Sequence, residues 1–176
     1  MLSAGLIPPN NDHPHFVEIV MSSTFRPAIA ILGAVAVFVA GGIGGSVTPS
    51  AIQDGWYGAL TKPPLQPPSF LFGIVWPILY VLIAASWVIA YRRQPENLKA
   101  LALPFGIQLA LNALWSVVFF GLKAPVGALA VILLLLATIA WMMQRFGSPA
   151  RWLLVPYILW VSFATYLNAG IVFLNR

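Results

Sequence analysis

The 176-residue chain contains no cysteine, and Asp, Glu, Lys and Arg together make up only 7% of it. Lack of cysteine excludes disulfides, thiolate nucleophiles and sulfur-ligated clusters. Acidic side chains are the scarcer charge, four against nine basic ones. Both histidines, His13 and His15, stand in the first 25 residues, MLSAGLIPPNNDHPHFVEIVMSSTF. An HPH pair with no third ligand is not expected to hold a metal. The long apolar stretches therefore carry neither histidine nor carboxylate. That excludes haem-iron ligation, an intramembrane metal site, a proton relay and charge-coupled transport. No acid–base dyad or activated nucleophile is present for conventional catalysis, no cofactor is expected to be intrinsic, and no nucleic-acid partner is expected.

What the chain has instead is apolar length: 60% of its residues are hydrophobic and the mean hydropathy is +0.90. Uncharged runs of about 20 residues cover about 27–47, 70–91, 100–121, 124–143 and 152–173. In hydrocarbon the backbone must satisfy its own hydrogen bonds, so such runs are helices, and the alternation of a barrel strand is absent. The expected fold is an all-α membrane protein, a five-transmembrane-helix bundle in the bilayer with a long structured loop between helices 1 and 2. One domain over 26–176 follows a flexible tail over 1–25 that lacks the basic start of a secretory signal. Met21 lies close enough to the first helix to serve as an alternative start. Proline and glycine punctuate the boundaries: GLKAP is a tight hairpin, and RFGSPAR combines a stop glycine with Pro149. No repeat of helix pairs marks a secondary transporter. Six basic residues (Arg26, Arg92, Arg93, Lys99, Arg145, Arg151) fall on the N-terminal side and three (Lys62, Lys123, Arg176) on the other. In a bacterial inner membrane this excess puts the N-terminus in the cytoplasm.

Function then falls to neutral polar and aromatic residues. In the third helix Gln108, Asn112 and Ser116 recur every four residues and form one stripe, with Ala102, Gly106 and Ala110 on a second. The amides either tie helices together or line a ligand cavity; the small stripe admits a close neighbour, within the chain or in a second copy. In the second helix Trp76, Tyr80, Ala84, Trp87 and Tyr91 follow one side, a pattern of core or interface belt in which Trp76 is also suited to a pocket wall. In the fifth, Pro156, Trp160, Ala164 and Asn168 share a face on which Ala164 leaves room for a large flat ligand. Gly41 and Gly45 stand at GxxxG spacing in the first helix, a close-packing signal. Thr138 is the mid-span polar group of a fourth helix that reads as scaffold.

The blocks WYGALTKPPLQPP and FGIVWPILY, then QLALNALWSVVFF, then PYILWVSFATYLN resemble, in order, the signatures of the TspO/MBR family, also called the translocator protein, tryptophan-rich sensory protein or peripheral-type benzodiazepine receptor family. The resemblance implies a five-helix bundle whose first loop folds over a cavity that takes protoporphyrin IX, other tetrapyrroles and benzodiazepine-like ligands. It assigns Trp76, Asn112 and Trp160 to that cavity, Tyr57 to the loop, and Ala164 to a position where substitution affects binding. With Gln108, Trp115 and Asn168 these make the candidate ligand-binding set. It also implies a homodimer through Ala102, Gly106 and Ala110. The prolines of the loop make a stiff lid, each fixing one dihedral. Two departures stand out: Pro64 and Leu65 follow KP where many relatives carry tryptophan, and LNAGIVFLNR lacks the tyrosine of a cholesterol-recognition pattern, so specific cholesterol binding is not expected. The implied function is a membrane binder or sensor of porphyrins. Light- and oxygen-dependent porphyrin degradation, running through the excited ligand with Trp76 and Trp160 as the candidate catalytic indoles, is a further expectation. Transport of tetrapyrroles or sterol-like lipids is the alternative.

Overall fold

The computed structural model describes residues 25–176, and residues 50–52 by backbone alone. The tail expected over 1–25, with His13 and His15, lies outside the described residues except for Phe25. Five helices are long and apolar enough to cross a membrane: α1 (Pro27–Gln53), α2 (Ser69–Arg93), α3 (Leu98–Ser116), α4 (Pro125–Phe146) and α5 (Val155–Leu174). Among the described residues there is no strand. Pro125 and Pro156 sit in the first turns of α4 and α5, where a missing N–H costs nothing. Gly147, at φ 64°, ends α4 in the left-handed region that a side chain would resist. α1 runs further than the span expected over 27–47, because Pro49 is accommodated inside the helix and the chain stays helical to Gln53.

α1 packs on α2 and α3, α3 on α4, and α4 on α5, so the helices stand around the bundle in the order 1, 2, 5, 4, 3, with α2 and α5 touching most sparsely. The outer surface is apolar: Leu32, Phe38, Ile78, Leu134 and Leu159 are all exposed, as lipid-facing side chains must be. α3 does not stop at Ser116 but widens into a π-helical turn, Val117–Gly121, closed by the Leu122 N–H on the Val117 carbonyl at 2.8 Å. That extra residue in the turn swings Phe119 and Phe120 under the loop that follows α1.

The core is densest at the end away from that loop. Trp87 stacks on Phe105 with centroids 4.4 Å apart and on Tyr91 at 5.8 Å. Phe146 closes the cluster, and Met142 and Leu154 are fully buried beside it. Gly33 of α1 lies directly against the Trp87 indole, where a Cβ would collide with it. At the other end the same helices part.

Candidate ligand-binding cavity

Between α1, α2, the end of α3 and the loop over residues 54–68 lies a cavity of about 680 Å³. Its aromatic wall comes from Phe72, Trp76 and Tyr80 on α2, Trp115 and Phe120 at the end of α3, and Tyr57 of the loop. Trp76 leans on Tyr80 at 5.5 Å, and Trp115 stacks on Phe119 at 5.3 Å, so the rings brace one another. Across from them α1 supplies Gly41, Gly44, Gly45 and Thr48. Two of these glycines make room for specific groups: Gly41 lies against the Tyr80 ring, and a Cβ on Gly44 would come within 2.9 Å of Ser116 Oγ. Gly45 is different, since a Cβ there meets nothing within 4 Å and would enter the cavity itself.

Both flanking helices carry a proline four residues after a cavity glycine: Gly45 and Pro49 on α1, Gly73 and Pro77 on α2, all four lining the space. A proline has no N–H to offer the carbonyl four residues back. The carbonyls of Gly45 and Gly73 therefore lose their usual helical donor beside the cavity, and a glycine at each position keeps the wall bare.

The loop closes the mouth and is tied down from several sides. The Thr61 N–H donates to Asn175 Oδ1, and Asn175 Nδ2 donates to the Thr61 carbonyl, both at 2.9 Å. The Tyr166 hydroxyl donates to the Pro64 carbonyl at 2.9 Å. Pro63 is buried on Gly170, where a Cβ would fall 2.6 Å from the pyrrolidine ring. On the opposite flank Lys123 pairs with Asp54 at 2.6 Å. That hydrogen bond, with a second from the Trp56 N–H, holds the Asp54 carboxyl below its usual range, so its contribution is present above the ordinary carboxylate pKa and is lost as pH falls through the lowered value. Trp56 and Tyr57 rest edge-on against Phe119. Within the loop Gln66 Nε2 donates to the Tyr57 hydroxyl at 3.1 Å; burial raises the Tyr57 phenol above its ordinary value, partly offset by that hydrogen bond.

Of the candidate set, Tyr57, Trp76 and Trp115 stand on the cavity wall. The others lie a layer behind. Asn112 Nδ2 donates to the Tyr157 hydroxyl at 3.2 Å, which donates to Gln108 Oε1 at 3.0 Å, a buried cluster whose Tyr157 ring meets Trp76 edge-on at 6.5 Å. Asn168 accepts from the Trp115 indole N–H at 3.1 Å and donates to the Pro125 carbonyl at 2.9 Å, which sets the plane of Trp115. Trp160 packs edge-on behind Phe72 at 5.6 Å and borders the outer groove between α2 and α5. Ala164 is buried in the core. Of the amide stripe, then, Ser116 alone reaches the cavity. The small stripe splits likewise: Gly106 and Ala110 face outward, a Cβ on Gly106 would meet nothing within 4 Å, and Ala102 is half-buried. Residues that the sequence reading did not place at the site include Gly44, Thr48, Lys62, Gln66, Phe72 and Phe120. Among the wall residues outside the candidate set, Tyr80 and Ser116 lay on helical stripes, and Gly41 and Gly45 stood at GxxxG spacing.

A five-span helical membrane protein with a lidded, aromatic-walled cavity at one mouth is the class these features define. The TspO/MBR family model matches residues 33–174, and the chain belongs to that family. It is 38% identical over 144 residues to the tryptophan-rich protein TspO of Archaeoglobus fulgidus, covering 80% of this chain and 92% of that one. It is 37% identical over 147 residues to the protein CrtK of Rhodobacter capsulatus, covering 80% and 89%. To the translocator protein of Bos taurus it is 34% identical over 119 residues, covering 64% and 70%.

Proposed function

We propose that the protein binds a flat, lipophilic tetrapyrrole such as protoporphyrin IX in the cavity beneath the loop. The observation that carries this reading is the pairing of a glycine-lined face on α1, left open at Gly45, with a ring-lined face on α2 and α3. Two such faces make a slot for a planar ligand, and 680 Å³ lies within the range of roughly 300–1,000 Å³ for small-molecule sites. Rings supply stacking surface, and the few polar groups orient one edge. Stepwise addition of protoporphyrin IX in darkness, followed by tryptophan fluorescence, tests it. Saturable quenching at one porphyrin per chain is expected; quenching that never saturates would reflect bilayer partitioning and would sink the proposal.

A second reading is favoured by Trp76 standing on the wall itself: bound porphyrin is degraded under light and oxygen, with this indole as the oxidisable neighbour. In membranes the chain pairs as a homodimer through α3, supported by the outward-facing Gly106 and Ala110. Gly106→Leu should leave monomer by light scattering in detergent, since the monomer has room for the new side chain. A variant that stays dimeric would rule out this face.

A further inference from the structure

Among the described residues, Lys62 is the one basic residue on the cavity wall. Its ammonium donates to the carbonyls of Gly58 at 3.2 Å and Leu60 at 3.1 Å and lies 4.8 Å from the centre of the Tyr57 ring. An ammonium has three N–H donors, and these bonds use two. No described carboxylate balances it: among the described residues the single ion pair joins Asp54 to Lys123, so the loop's own carboxylate is committed elsewhere. Lys62 is half-buried on the wall of a largely apolar space and forms no ion pair with a described residue. Two carbonyls and a ring also fix where it sits, so little ordering remains to be done when an anion arrives. Deeper in the cavity the polar side chains are neutral, with Tyr80 and Ser116 on the floor.

We infer that the cavity takes planar lipophiles that carry a carboxylate, and that Lys62 is the group that recognises it. This deepens the tetrapyrrole reading and rests on it. The ligand then has a fixed polarity in the slot, its acidic edge at the loop under Lys62 and its apolar body against Trp76. A charge-assisted N–H to carboxylate hydrogen bond forms, and neutral esters of the same ring system lose it while keeping the stacking.

The test compares protoporphyrin IX with its dimethyl ester on the full chain in nanodiscs, using wild type, Lys62→Met and Lys62→Arg. Taking acid against ester within each protein, and then comparing proteins, cancels the different partitioning of the two porphyrins into lipid. Lys62→Met should lower the acid's affinity about tenfold while the ester's moves far less, and Lys62→Arg should keep the preference for acid. If Lys62→Met weakened acid and ester equally, the lysine would merely hold the loop and the inference would be overturned. An unchanged acid affinity would overturn it as well. Pyrenebutyric acid and its methyl ester separate the two levels of the proposal. Binding of neither porphyrin, with the pyrene acid still preferred in a Lys62-dependent way, would refute the tetrapyrrole reading and keep the anchor. Porphyrin acid and ester bound equally by all three proteins would do the reverse.

Discussion

At the end of the bundle away from the loop, Trp87 lies on Phe105, with Gly33 pressed against its indole and its own exposure down to 2%. At the loop end Trp76, three turns earlier on the same helix and the same stripe, looks across about 680 Å³ of open space toward Gly45. Both ends set an aromatic face of α2 against glycines of α1. They differ in whether each glycine is filled by the ring opposite. Gly33 and Gly41 are filled, by Trp87 and Tyr80; Gly45 is not. A glycine in a membrane helix thus has two uses that its identity does not distinguish, contact and vacancy, and the bundle spends its packing at one end to support a hollow at the other.

The largest contrast should come from truncating the two indoles. Trp87→Ala removes a fully enclosed side chain and should cost about 3 kcal/mol or more, read as a large fall in the thermal unfolding midpoint in detergent. Trp76→Ala, already facing open space, should cost clearly less. Equal losses would mean that both ends are packed alike. A smaller effect is expected at the lid. Asn175→Ala deletes both hydrogen bonds to Thr61 at about 1 kcal/mol apiece and should speed porphyrin dissociation several-fold, with little change in the cavity. Dissociation rates identical to wild type would show that the loop does not gate the site. The smallest effect on stability belongs to Trp76→Phe, which keeps a ring but loses area and the indole N–H. Dark affinity should drop by about tenfold or less, whereas light-driven loss of bound porphyrin, at matched occupancy, should fall further. Wild-type photodegradation in this variant would leave the degradative reading without its residue.

The five spans were legible because an uncharged run of that length admits only one backbone solution in lipid. Their ends were less so: the first span was expected to close near residue 47, yet the helix takes in Pro49 and continues to Gln53. Within the site, helical spacing correctly grouped residues into faces but could not say which neighbour each face would meet. Asn112 and Ser116 share a stripe, and the first is bound to Tyr157 while the second reaches the cavity. Trp76 and Trp160 each share a face with small or polar residues, and Phe72 stands between the second and the open space. Lys62 carries no periodic signal at all, because a proline-bounded loop has no repeat to read. Its place on the wall follows from contacts made more than 100 residues away, Thr61 with Asn175 and Pro64 with Tyr166.

That the hollow end, and not the outer grooves of the bundle, holds the ligand is tested most directly by filling it. Gly45→Phe puts a ring into space that a Cβ enters without contact, so the variant should fold with a near wild-type unfolding midpoint. In a dark titration by tryptophan fluorescence it should lose saturable protoporphyrin IX binding. A stable Gly45→Phe protein that still binds one porphyrin with wild-type affinity would contradict the account.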